Sequence, residues 1–296
     1  MDNNSRHDTS VLAGALVAVR TGDARLTARV RTALNEVATT TRFARVLEMS
    51  RNIPSYVIAA DLVGLPSTDD ARFRRFLSEV RTKPLQGHSG GNSLVGTALR
   101  SPGNWGTMAR AALVAIDIYI DDRTQLTTVA NAHRAYLGED VPNQLVYSST
   151  TWHGDADDQA GINRRDVVLA GRSADGIIPE DQRRTAELTW PAPQGSYPWE
   201  ALQGAMVTAV LLDRAGEVPF TAGDDALLRA FRWLSGPNAN PAEGDDTWQP
   251  WLMNSIRGTS FATSPATSTG KNMGWTDWTH APGSRAAGSQ MAGAAG

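Results

Sequence analysis

The sequence predicts an all-α fold, a curved or closed array of paired helices, and three stretches predict it. Val11 to Val19 is apolar, Arg20-Thr21-Gly22-Asp23 makes a turn, and Leu26, Val30, Ala33, Leu34 and Val37 then share one helical face. Trp105, Ala109, Ala112, Leu113, Ile116 and Ile120 share another face. There Asp121-Asp122-Arg123 turns the chain, and Leu126, Val129, Ala130, His133 and Leu137 follow on a second helix. Tyr197 to Arg214 is the third apolar helix, ended by Ala215-Gly216-Glu217 and partnered by Leu227, Leu228, Phe231 and Leu234. In each pair the first helix is apolar nearly all round and the second has a charged face, as two concentric layers require. The spacing is too irregular for a short solenoid repeat.

Between the pairs, Arg42 to Leu65 reads as a helix with Pro54 in its first turn, a position that tolerates proline. Asp69 to Val80 carries Phe73, Phe76, Leu77 and Val80 on one face. Lys83 to Gly103 is rich in Gly and Ser and reads as a loop. Asp140 to Gln194 is poorly periodic, with short β signals at Leu145 to Tyr147 and Val167 to Leu169 that suggest a small hairpin. Trp248, Trp251, Trp275 and Trp278 extend the ordered chain to His280. The expected organisation is one domain over residues 1–280 and a flexible tail over residues 281–296.

The 296 residues, 41% of them hydrophobic, are enough for a sizeable core. The absence of cysteine excludes disulfides and thiolate metal sites. A formal net charge of −3 gives no global case for nucleic acid as a partner. No run approaches the roughly 18 apolar residues of a membrane span. The start, MDNNSRHDTS, is polar and lacks a signal-peptide core.

No phosphate loop, zinc motif or nucleophile elbow is present, and no cofactor or metal is expected. His133, on an apolar stripe, reads as a core residue, and His7 as a terminal, inert one. His88 and His153 lie in loops. Asp224-Asp225 reads as the opening of a helix, where carboxylates favour the macrodipole. Asp245-Asp246 reads as a turn. The segment ADGIIPEDQRRTAELTWPAPQGSYPWEALQGA is the most informative. Its adjacent Arg183 and Arg184 precede Tyr197, which opens a helix. A cation near a phenol favours the phenolate and so prepares a base. The alternative is that both arginines are solvated and Tyr197 only packs.

The motifs SRNIPSYVIAADL, PGNWGTMARAA, DGIIPEDQRR, SYPWEALQGA, DDTWQPWL and GKNMGWTDWTH, taken together, resemble the alginate-lyase-type polysaccharide lyases over Arg51 to His280. The resemblance implies an incomplete (α/α) toroid of paired helices, β-elimination in a uronate-containing acidic polysaccharide, and a secreted or extracytoplasmic location. It assigns Tyr197 as base and acid, and Arg184 and Asn104 as the groups that neutralise the uronate carboxylate. Arg183 is the alternative to Arg184, because Pro191 to Gly195 lengthen the interval before the tyrosine. Trp105 stands where the family has a histidine, so that His153 or His88 would have to serve instead. Trp105, Trp152, Trp190 and Trp199 are the candidate platforms for sugar rings. Two alternatives remain: a carbohydrate-binding protein on the same scaffold with activity lost, and a glycoside hydrolase using Glu180 or Asp181.

Overall fold

Residues 2–43, 45–86, 92–264 and 270–282 are described by the computed structural model, which is mostly helical with almost no strand. The helices are α1 (His7–Thr21), α2 (Ala24–Val37), α3 (Val46–Val63), α4 (Ser67–Thr82), α5 (Leu94–Arg100), α6 (Asn104–Ile120) and α7 (Arg123–Tyr136). A two-strand hairpin, β1 (Val168–Leu169) and β2 (Arg172–Ser173), precedes the short α8 (Pro179–Gln182). Then come α9 (Tyr197–Arg214), α10 (Ala222–Ser235), a 3-10 turn at Gly244–Asp246, α11 (Gln249–Arg257) and the short α12 (Thr276–Thr279).

The turns form for local reasons. Gly22 closes α1 at a φ of 68°, and Asp23 caps α2 by accepting from the N–H groups of Arg25 and Leu26 at 2.8 and 3.0 Å. Asp121 takes a left-handed φ of 63°, and the Asp122 side chain accepts from Gln125 N–H at 3.0 Å to start α7. The helices that are apolar nearly all round become a row in which α1 packs on α3, α3 on α6 and α6 on α9. The amphipathic α2, α7 and α10 each pack against the helix before them. α6 has the longest unbroken buried run of these helices, from Gly106 to Asp117.

The helices of this row share a direction. The starts of α6 and α9 meet through Asn104, Arg184 and Tyr197, and Arg45 at the start of α3 lies over Trp105. At the other end, Ile58 and Leu62 of α3, Ile118 and Tyr119 of α6, and Leu211 and Arg214 of α9 line one groove. α3, α6 and α9 therefore run parallel, with their N-termini at one face of the molecule.

Several expectations are corrected. α5 lies inside the stretch read as a loop. Ser93 caps it through Gly96 N–H at 3.1 Å, and Leu94, Ala98 and Leu99 are buried, an apolar set too short for periodicity to detect. Pro54 stands in the interior of α3 and not in its first turn. Asp224 and Asp225 do stand in the first turn of α10, but with left-handed φ values of 56° and 58°, and their side chains pair with Arg165 and Arg257. Leu145 to Tyr147 are not part of the hairpin. His7 is not inert: it opens α1, and its Nδ1 lies 2.8 Å from the Tyr56 hydroxyl. The tail from residue 283 lies outside the described residues.

The α6–α9 packing requires a glycine. A β-carbon on Gly204 would overlap the Thr107 carbonyl carbon and the Met108 nitrogen, and backbone on both sides leaves nothing to yield. Gly204→Ala is expected to lower the unfolding free energy by about 1–3 kcal/mol, measured by urea denaturation. An unchanged midpoint would mean that these two helices are not in backbone contact.

Candidate functional site

Three residues far apart in sequence meet at the shared N-terminal face. Asn104, the first residue of α6, is buried, and its Oδ1 accepts from Arg184 Nη1 at 2.8 Å. The Arg184 guanidinium lies 3.8 Å from the centre of the Tyr197 ring, a cation–π stack at the start of α9. Tyr197 is half-buried. Asn104 and Arg184 line a cleft of about 370 Å³ together with Ser101, Pro102, Trp105, Val146, Ser148, Glu180 and Arg183. Tyr197 joins the site through Arg184 and does not itself line the cleft.

The loop before Asn104 is held in place by packing. Arg110, fully buried on α6, donates through Nη1 to the carbonyls of Ala98 and Ser101 at 2.9 and 3.0 Å. Gly106 lets the Ser101 carbonyl fold against the first turn of α6, where a β-carbon would overlap that oxygen. From α8 below, Asp181 Oδ1 accepts the backbone N–H of Asn104 at 3.2 Å and lies 4.0 Å from Arg184 Nη1. Burial pushes the Asp181 carboxyl up to about 7, against the lowering effect of the Asn104 N–H and Arg184. From the sequence, Asp181 reads only as a hydrolase acid. Its contact with Asn104 links positions 77 residues apart, which local pattern cannot reveal.

The neighbouring arginine has a different role. Arg183 donates through Nε and Nη2 to Glu180 Oε2 at 2.9 and 2.7 Å, and also bonds the Ser148 hydroxyl. Ser148 gives its own N–H to Glu180 Oε1 at 3.0 Å. Of the two arginines, Arg184 is therefore the one joined to Asn104 and Tyr197.

The remaining candidates divide. Trp105 is half-buried and lines the cleft. Trp152 and Trp199 are only 1% and 2% exposed, so neither has a face for a sugar ring. Their indole N–H groups donate to the carbonyls of Ala186 and Asn240, and Trp199 packs edge-on against Phe231. Trp190 is half-buried between Trp152 and Trp233, with the Arg172 guanidinium over its ring. The tryptophan platforms thus reduce to Trp105, because large apolar rings are worth more in the core than on the surface.

His153 is 5% exposed, edge-on to Tyr147 at 5.1 Å, and burial lowers it to about 4, so it is neutral at pH 7. Glu180 and Arg183 act on it in opposite directions, both less than burial does. His88 lies outside the described residues. His133 is buried, and lowered to about 3 by desolvation and by Arg110.

One acidic cluster is assembled from positions distant in sequence. Glu200, one turn beyond Tyr197, has a carboxylate oxygen within 4.8 Å of those of Asp245 and Asp246. Asp245 pairs with Arg51, and Asp246 Oδ1 accepts from Gln203 and Gln249 at 2.7 and 2.8 Å. A larger groove of about 680 Å³ lies at the opposite end of the row, lined mainly by apolar residues such as Val57, Ile58 and Leu211. It contains none of the candidate residues, so the smaller cleft, lined by Asn104 and Arg184 with Tyr197 stacked behind Arg184, is the candidate site.

No protein family, curated protein or solved structure was found to match this chain.

The raised Asp181 carboxyl gives a test with a definite sign. The folded state holds this proton more tightly than the unfolded chain, so Asp181 stabilises fully below pH ~4 and loses that contribution as pH rises to about 7. Asp181→Asn removes the titration. Its melting temperature relative to the unsubstituted protein is expected to rise between pH 4 and pH 8 in thermal scans. A difference independent of pH would place the Asp181 proton elsewhere.

Proposed function

We propose that this protein is a polysaccharide lyase that cleaves a uronate-containing acidic polysaccharide by β-elimination, on paired helices arranged as an incomplete toroid. The supporting observation is the Asn104–Arg184–Tyr197 contact, an amide, a guanidinium and a phenol in series. The parallel starts of α3, α6 and α9 add partial positive charge at the same face. An extracytoplasmic location belongs to the same proposal, since such polymers lie outside cells.

The chemistry follows from the groups. β-Elimination requires the uronate carboxylate to be neutralised so that the neighbouring C5 proton becomes acidic. Arg184 supplies a guanidinium fork and Asn104 an amide, the types of donor that stabilise a developing enolate. Tyr197, as phenolate, takes the C5 proton. The C4–O bond then breaks, C4 and C5 become doubly bonded, and the phenol returns a proton to the departing oxygen. His153 stays neutral and buried, so that the elimination runs on the amide and the guanidinium without an imidazole at the position of Trp105. Glu180 is held by Arg183 and Ser148, which disfavours its use as a hydrolase acid.

A second reading is a carbohydrate-binding protein on this scaffold, favoured by Trp105 in the place of the family histidine. Product chemistry separates the two. Incubation with a panel of acidic polysaccharides should generate ultraviolet absorbance from unsaturated uronyl ends. Tyr197→Phe is expected to lower kcat about 100-fold or more with little change in binding, since proton transfer belongs to the transition state. Arg184→Ala should damage both kcat and binding. Near-normal turnover by Tyr197→Phe would refute the tyrosine mechanism, and binding without absorbance across the panel would favour the second reading.

A further inference from the structure

The charges around the cleft define a substrate narrower than the one proposed above, on which this inference rests. Two cations line the cleft, Arg183 and Arg184, and one carboxylate, Glu180, lines it with them. Arg183 spends two N–H groups on Glu180, at 2.9 and 2.7 Å, so this pair offers little net charge to a ligand. Arg184 gives Nη1 to a neutral amide oxygen, and the carboxylate within salt-bridge range of it is Asp181, at 4.0 Å. Among the described residues, the lining therefore carries the net charge of one arginine, two positive groups less one negative.

Beyond Tyr197, outside the cleft lining, stand the carboxyls of Glu200, Asp245 and Asp246. Glu200 is half-buried, and burial raises its carboxyl first of all; Asp245 raises it further, while Arg51 and Arg184 oppose. Arg51 is committed to Asp245, and Arg45, over Trp105, to Glu48 at 2.8 Å. A polymer of uronates alone would carry a carboxylate on every ring. One of these can meet Arg184, and its neighbours in the cleft would face the neutralised Arg183–Glu180 pair. Charges desolvated without a partner oppose binding. The rest of the lining suits neutral rings: half-buried Trp105 and Val146, which is 60% exposed, offer apolar surface.

We propose that the cleft is built for a polymer in which single uronate residues are separated by neutral sugars. The uronate carboxylate meets Arg184 and Asn104, and its neutral neighbours lie against Trp105 and Val146. The site then reads one charge per repeat, and rejects closely spaced charge by leaving it unpaired.

The test compares two hexasaccharides of equal length by titration calorimetry: a homo-oligouronate, and an unsulfated oligomer alternating a uronate with an N-acetylhexosamine. The alternating oligomer is expected to bind about tenfold more tightly, the size of one charged hydrogen bond gained or lost. Glu180→Gln releases the Arg183 charge, keeps an acceptor for Ser148, and should narrow the gap by strengthening homo-oligouronate binding. Trp105→Ala removes the apolar face offered to the neutral ring and should shift the ratio in the same direction by weakening the alternating oligomer, so the prediction survives if one variant does not fold. Equal or tighter binding of the homo-oligouronate, or a ratio that neither variant moves, would overturn this inference and leave the lyase proposal standing. If neither hexasaccharide binds, both fall.

Discussion

The backbone contact between α6 and α9 is the constraint on which the rest depends. Gly204 sits two turns into α9 and meets Thr107, one turn into α6. Because the two helices run in the same direction, this contact sets the heights of their first residues, Asn104 and Tyr197, relative to each other. A side chain at Gly204 would separate the axes, and the Arg184 bridge has a single 2.8 Å bond and a 3.8 Å stack with which to span them. The geometry of the site is thus a consequence of helix packing near the middle of the molecule.

Buried polar groups hold what the helices position. Arg110 is fully enclosed, and desolvation lowers it to about 10, yet it gives one nitrogen to two carbonyls and lies 4.9 Å from the centre of the Tyr136 ring. It ties the end of α5 to the loop that carries Asn104. Asp181 ties the same loop to α8, the helix that leads into Arg184. A charge with no water around it is costly to move, so such groups fix a loop more firmly than an apolar contact of the same size would. The loop consequently has rigid backing on two sides.

The surface charges divide the N-terminal face. Toward Glu180 the cleft is nearly neutral and partly apolar, at Arg184 it is positive, and the carboxyls of Glu200, Asp245 and Asp246 stand outside its lining. A net charge of −3 spread over the chain would not suggest a binder of anions, and it is the local arrangement that makes one conceivable.

The sequence by itself determined the helical class and the principal turns. The face Trp105 to Ile120 and the Tyr197–Arg214 helix were legible because burial imposes a period on side chains that is local and repeated. Asp23, Gly22 and Asp121 were legible because turn chemistry acts within a few residues. Other features depended on distant partners. α5 has too few residues to show a period. Asp224 and Asp225 have the chemistry of helix caps, but Arg165 and Arg257 hold them in ion pairs at a left-handed bend. The role of Arg184, as against Arg183, was undecided while both were only numbers in a row, and contact with Asn104 or with Glu180 separated them. Trp152 and Trp199 were equal to Trp105 as surfaces for sugar until packing enclosed them. The acidic cluster joins Glu200 to residues 45 and 46 positions later, and no spacing along the chain encodes that approach. Periodicity and capping are properties of a segment, whereas the partner of a charge and the exposure of a ring are set by the meeting of segments, which only the tertiary structure decided.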